Sequence, residues 1–333
     1  MVSPPRRATE PGRPAAVLPE GDRVTMFEIF FDLVFVFALM RVIELMETQQ
    51  GLGGLGRGLL VLLLLWWAWC AFIWLGNRVR LDRGRVVVAI LVAMSALFVA
   101  ALVIPYAWEP PSDWLSPALV LALAFTVVRA SYVSTFLWTS RGDRRLRTQV
   151  LIDAIPQTGS SVLLIIGAVL GGDLQGVCWA VAFALDFGVG WLVSRYNGWR
   201  VASPAHFVER HGLVLIIALG ETVLSSGAGV GSDLDDGTVH GLSIVAALLA
   251  FVVVVSLWWA YFRGPSAAAR HALVSADPIR RPAIVLGVVA LGLPSLVALF
   301  LVAALVVAAA LTTASRERHA TAGSRQKEHH PCP

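Results

Sequence analysis

Charge is scarce in this chain. Asp, Glu, Lys and Arg make up 14% of its 333 residues, whereas 57% are hydrophobic; a soluble domain carries about 25% charged residues. The shortage excludes an ordinary water-soluble fold. Cysteine is scarce as well. Three cysteines offer no disulfide framework, and Cys70 and Cys178 fall inside apolar blocks, where packing is the expected role. Catalytic signatures are missing: there is no P-loop, nucleophile elbow or serine–histidine pattern, and no cofactor is expected. Gly51, Gly53 and Gly56 formally fit G-x-G-x-x-G, but the run follows no strand and opens no βαβ unit. It is expected to be a flexible turn.

What is present is a series of long apolar blocks. They lie at 24–46, 59–76, 86–107, 117–138, 150–170, 177–193, 206–226, 242–262 and 283–311. About 20 apolar residues suffice to cross a bilayer, so the chain is expected to be an all-α integral membrane protein, a polytopic bundle of nine or ten transmembrane helices. The last block is long for one span and is broken by Gly292-Leu293-Pro294, which admits one kinked helix or two short ones. Residues 1–23 and 313–333 are expected to be disordered tails flanking a transmembrane domain at 24–312.

Formal net charge is +4, yet the arginines sit between the apolar blocks, so membrane topology explains the basicity and nucleic acid is not an expected partner. Arg78, Arg80, Arg83 and Arg85 fill the second loop and Arg141, Arg144, Arg145 and Arg147 the fourth, whereas Glu109, Asp113 and Asp173 occur in alternate loops. Positive loops stay inside, which places the N-terminus in the cytoplasm. An internal repeat is visible too. Asp32-Leu33-Val34-Phe35-Val36-Phe37-Ala38-Leu39 matches Gly212-Leu213-Val214-Leu215-Ile216-Ile217-Ala218-Leu219, and Trp66-Trp67-Ala68 matches Trp258-Trp259-Ala260. Six crossings separate the copies, so the expectation is a parallel duplication, with a first half at 24–196 and a shortened second half at 206–312.

Ionisable groups at membrane depth are costly and are usually paired or functional. Glu28 and Asp32 share a face of the first segment, continued by Phe35; Phe27, Phe31 and Phe35 form an aromatic stripe. Arg129 and Tyr132 in the fourth segment, Asp186 in the sixth and Glu221 in the seventh are further deep polar groups. Arg129 is a natural counter-ion for Asp32 or Asp186, and Arg41 with Glu44 makes an ion pair near the outer interface. His206, Glu209, Arg210 and His211 open the seventh segment. A His-x-x-Glu-His zinc site would need histidine at 210, where arginine stands, so no metal is expected and a charged cap at the cytoplasmic face is the reading. Glu221 lies about 18 Å further along the helix. Tryptophans near segment ends are expected to anchor at the interface.

At Glu28-x-x-Phe31-Asp32-Leu33-Val34-Phe35, Trp74-x-x-Asn77, Arg129-x-x-Tyr132, His206-x-x-Glu209-Arg210-His211-Gly212 and Trp258-Trp259-x-Tyr261-Phe262, the sequence resembles the bacterial low-temperature-requirement A family. The resemblance covers residue 24 to about 262 and implies a polytopic inner-membrane protein. Family members usually continue with two further helices where residues 263–281 form a short Arg/Ala loop. A weaker likeness, Phe31-Asp32 with Arg23 nearby, is to endolysosomal-type potassium channels, with Phe31 where their signature has serine.

Two functions follow. One is a transporter or channel for a proton, small cation or small solute, with Asp32, Glu28 and Glu221 on the path, Arg129, Tyr132 and Asp186 as further path residues, and the lipid bilayer as its surroundings. The alternative is an intramembrane enzyme or lipid-modifying protein using His206, Glu209 and His211 at the cytoplasmic headgroup level. A homo-oligomer is compatible with either.

Overall fold

A computed structural model describes residues 23–49, 51–110, 116–197, 203–234 and 241–263. Among these residues the chain forms eight α-helices and no strand: α1 (Met26–Thr48), α2 (Leu52–Gly76), α3 (Gly84–Val103, followed by a 3-10 turn at Ile104–Tyr106), α4 (Pro117–Thr139), α5 (Arg144–Leu170), α6 (Gly172–Asn197), α7 (Pro204–Leu234) and α8 (Gly241–Arg263). The block at 283–311 and both tails lie outside the described residues, so a ninth and a tenth crossing do too.

Local chemistry sets several of these boundaries. Thr25 and Glu28 form a capping box that opens α1. Ser116 accepts from the Leu119 amide ahead of Pro117 to open α4, and Asp143 accepts from the Leu146 amide to open α5. The cap at Asp143 carries α5 back to Arg144, six residues before the apolar block. The glycine run at 51–56 is not the expected turn, because it forms the first turns of α2. Gly54 there packs against the Gln49 carbonyl, so close that an added methyl would collide with it. A glycine-rich start lets α2 leave the end of α1 with almost no connecting loop.

Among the described residues, six helices hold stretches long and apolar enough to cross a membrane: Leu52–Gly76, Gly84–Tyr106, Pro117–Thr139, Arg144–Leu170, Ala205–Ala228 and Ile244–Phe262. The other two, α1 and α6, have 23 and 26 residues. Their deepest acidic groups, Asp32 and Asp186, are buried inside the protein at 0% and 3% exposure. The outward residues of the bundle are apolar, for example Val88, Leu91, Phe98, Leu123, Val169 and Leu249. This is a multi-pass helical membrane protein.

Ring contacts fix the helix directions. Phe31 meets Phe72 (5.0 Å between centroids) and Phe35 meets Trp69 (5.5 Å), so α1 and α2 are antiparallel. Trp74 meets Phe207 (5.6 Å) while Trp69 meets His211 (5.1 Å), so α2 and α7 are antiparallel as well. It follows that α1 and α7 run parallel. One end of the bundle gathers the start of α1, the α2–α3 and α4–α5 turns and the start of α7. There Asn77 bonds to Ser203, and the Arg78 guanidinium feels the Asp143 carboxylate. The opposite end brings Arg57 over the Trp108 ring at 5.5 Å and Gln175 onto the Ala107 carbonyl at 2.8 Å.

Association of such helices gains little from apolar burial, because lipid tails are as apolar as leucine; packing and polar pairing decide it. The central helix is α1, which packs on α2, α3 and α7. Its buried face runs through Phe31, Phe35, Ala38, Leu39, Val42 and Leu45.

Candidate functional site

The principal polar cluster lies where α1 meets α7. Arg210 is wholly buried and holds both α1 carboxylates with its fork: Nε and Nη2 donate to Asp32 at 3.3 and 3.1 Å, and Nη1 donates to Glu28 at 3.3 Å. His206 Nε2 lies 3.2 Å from the second oxygen of Glu28. That oxygen also accepts from the Thr25 amide at 2.9 Å and the Thr25 hydroxyl at 3.0 Å, so the carboxylate that caps α1 is the one His206 reaches. Exposure is 1% for Glu28 and 0% for Asp32, His206 and Arg210. The pairs are in register, with His206 and Arg210 each 178 positions beyond Glu28 and Asp32, as parallel helices require. Glu28, in the first turn of α1, also meets the positive end of that helix's dipole, worth about 0.3–1 kcal/mol.

Several residues complete the enclosure. Trp69 Nε1 donates to Asp32 at 2.8 Å, and the Arg210 guanidinium sits over the Phe31 ring at 5.5 Å. Gly76 lies against the ions: a methyl group there would come within 2.7 Å of Glu28 Oε1 and 2.8 Å of Arg210 Nη1. Asn77 pairs its amide with Ser203 in both directions, donating to the carbonyl at 2.6 Å and accepting from the amide at 3.1 Å. This ties the end of α2 to the residue before α7. His211 is 3% exposed, with Nδ1 2.8 Å from the Phe207 carbonyl and its ring between Trp69 and Phe207; Nε2 has no hydrogen-bond partner among the described residues.

Several expectations change. His206, Arg210 and His211 are not exposed at the end of α7, because α2 and α1 cover them. They and the α1 carboxylates make one site, with Glu209 half-buried and outside it. The counter-ion of Asp32 is Arg210. Arg129 instead pairs with Asp186, Nη2 donating at 2.5 Å, while Nη1 donates to Ser160 and Ser161 at 2.9 and 3.3 Å. Tyr132, at 3% exposure, packs edge-on to Phe72. Phe31 meets Phe72 and Phe72 meets Tyr132, so a chain of rings runs from α1 through α2 to α4. Glu221 is half-buried and lies about 16 Å along α7 from Arg210; it joins neither site. Arg41 and Glu44 pair as expected. Trp66 and Trp69 are core residues at 3% and 1% exposure, not interfacial anchors.

Trp69, Gly76 and Ser203 were not singled out by sequence reasoning, and neither was Asp153, whose Oδ2 accepts from Gln157 at 2.7 Å. Thr25-x-x-Glu28 carried a readable capping-box signal, and Asn77 stood in a recognised motif. The groove between α3 and α4, lined by Val88, Val92, Val99, Leu123 and Val127, is apolar and open to the outside.

A bundle of membrane-crossing helices closed around a buried Arg–carboxylate–histidine cluster defines a polytopic membrane protein with an internal ion site. The chain belongs to the bacterial low temperature requirement A (LtrA) family, whose model matches residues 23–328 and so continues past residue 262 through the final apolar block. An uncharacterized protein of Rhizobium meliloti (strain 1021) is 30% identical over 245 residues, a stretch covering 71% of this chain and 57% of that protein. The match thus spans little more than half of the relative's length. No solved structure matches the chain.

Proposed function

We propose that this protein is a transporter or channel for a proton, a small cation or a small solute, and that Glu28, Asp32, His206 and Arg210 are its ion-handling site. The observation that carries this reading is the Arg210 fork on two carboxylates, with His206 on one of them and all four side chains at 0–1% exposure. Such groups are expensive at membrane depth and are retained there for function. Two carboxylates against one guanidinium leave a charge of −1 while His206 is neutral, and a proton on the imidazole brings the cluster to zero. The site can therefore take up one positive charge without leaving a net charge in the bilayer.

Glu28 links that step to the backbone, since it also closes the α1 capping box. A change in its charge alters the α1 start and the α1–α7 contact together. The arginine-rich loops support an N-terminus in the cytoplasm and a place in the cell membrane. Burial of His206 and His211 inside the protein, beneath α1 and α2, favours transport over chemistry on a lipid headgroup.

The test is ion flux through purified protein in liposomes under proton and potassium gradients. Asp32→Asn keeps the side-chain volume and an acceptor for Trp69 but removes the charge, so flux is expected to fall to the level of empty vesicles. Undiminished flux from folded Asp32→Asn protein would sink the proposal.

A further inference from the structure

The Arg129 site contains more than an ion pair. Asp186 is 3% exposed, and the donors that reach it, Arg129 Nη2 at 2.5 Å and the Ser160 hydroxyl at 2.9 Å, both fall on Oδ2. Oδ1 is buried with no hydrogen-bond partner among the described residues. An unpartnered carboxylate oxygen in such a buried place is unfavourable unless something supplies positive charge or a donor. One face of α5 carries a line of polar groups towards it: Asp153, Gln157 and Ser161 at successive i, i+4 steps, beside Ser160. Gln157 donates to Asp153, Ser161 donates to the Gln157 carbonyl at 2.8 Å, and Arg129 donates to Ser161. Within this line Pro156 removes one backbone N–H, which leaves the carbonyl of Ile152 outside the helical ladder.

Charge arithmetic matches that of the α1–α7 cluster. Asp153 and Asp186 act on one another electrostatically, and with Arg129 they sum to −1. The other titratable groups facing them are the Tyr132 phenol, which is neutral, and the Arg78 guanidinium, which acts on Tyr132 and Asp143 at the bundle's end. In the first cluster His206 can supply the balancing charge from within. Here no histidine faces the carboxylates among the described residues.

We infer that Asp186, with Asp153 and the Ser160 and Ser161 hydroxyls, forms a second site that holds one exchangeable monovalent cation, a proton or an alkali-metal ion, at the free Oδ1 of Asp186. It lies on α4, α5 and α6, apart from the first cluster on α1 and α7, so the protein would have two one-charge sites.

The experiment is carbodiimide labelling of purified full-length protein, read by peptide mass mapping. The reagent couples to protonated carboxyls in apolar surroundings. Label on the α5 or α6 peptide that declines as pH rises is the expected result. If sodium or potassium suppresses it at fixed pH, the ligand is an alkali-metal ion; if pH alone does so, it is a proton. Asp153→Asn, which leaves the Arg129–Asp186 pair intact, should abolish cation suppression or shift the labelling profile along pH. Absence of label on both peptides at every pH, with a melting temperature indifferent to sodium and potassium, would overturn the inference and leave a structural ion pair. No flux is read, so the result stands apart from the transport proposal. Flux that depends on Asp32, with no titration at Asp153 or Asp186, would remove the second site alone.

Discussion

Arg210 is the residue on which the principal site turns. Its guanidinium offers donors in a planar fork, and three of its nitrogens are taken by Asp32 and Glu28 at 3.1–3.3 Å. Truncating it leaves two carboxylates buried with only His206 to balance them. Breaking a buried pair from one side costs about 3–5 kcal/mol, so Arg210→Gln should lower the melting temperature of detergent-purified protein sharply. Asp32→Asn added to Arg210→Gln leaves one carboxylate facing one histidine, so the double variant should be more stable than Arg210→Gln alone. If the two losses simply add, the fork is not a coupled unit. Gly76→Ala tests the same site by volume. The new methyl would sit 2.7 Å from Glu28 Oε1, and overpacking of this kind costs about 1–3 kcal/mol. The expected outcome is reduced flux from folded protein; unchanged flux would show that the Glu28–Arg210 contact can move aside freely.

Helices are held in place here by a few polar clamps more than by apolar area. Asn77 pairs with Ser203 through both halves of its amide, across 126 positions of sequence. Asn77→Asp keeps the acceptor for the Ser203 amide but loses the donor, so a buried carboxylate oxygen faces the Ser203 carbonyl, which retains only the Phe207 amide. Destabilisation of about 1–3 kcal/mol is expected, read as a lower melting temperature, and an unshifted melting curve would show that α7 is seated by other contacts. The same elements show what sequence reasoning could reach. Apolar runs and loop arginines marked α1 to α8 to within a few residues at most ends, and the i, i+4 spacing put Glu28 and Asp32 on one face. Partner choice was not legible. Arg129 and Arg210 were equally available to Asp32 by composition, and helix packing chose the one 178 positions away. Trp69 was passed over because nothing local distinguishes a tryptophan that bonds a carboxylate from one that only packs. Asp153 was passed over because its partners at Gln157 and beyond matter only once α4 and α6 close on α5.

At the scale of the whole molecule, the parallel course of α1 and α7 ties the ion site to topology. Six helices lie from α1 to α6, so α7 starts at the end where α1 starts, and that end also holds the arginine-rich α2–α3 and α4–α5 turns. The principal cluster, within the first two turns of α7, is thereby close to the face that the arginine count assigns to the cytoplasm. The second cluster, at Ser160 and Asp186, is deeper along α5 and α6. This arrangement gives a directional expectation, that protons reach His206 and Glu28 from the cytoplasmic side. Orientation can be read with single cysteines at exposed positions in a background lacking Cys70, Cys178 and Cys332. Arg83→Cys and Arg141→Cys lie at the arginine-rich end, and Glu109→Cys and Asp173→Cys at the other. A membrane-impermeant maleimide added to intact cells should label the second pair at once and the first pair only after permeabilisation. The reverse pattern would turn the bundle over. His206 and Glu28 would then be near the outer face, and the direction of proton entry would be inverted while the chemistry of the site stayed as it is.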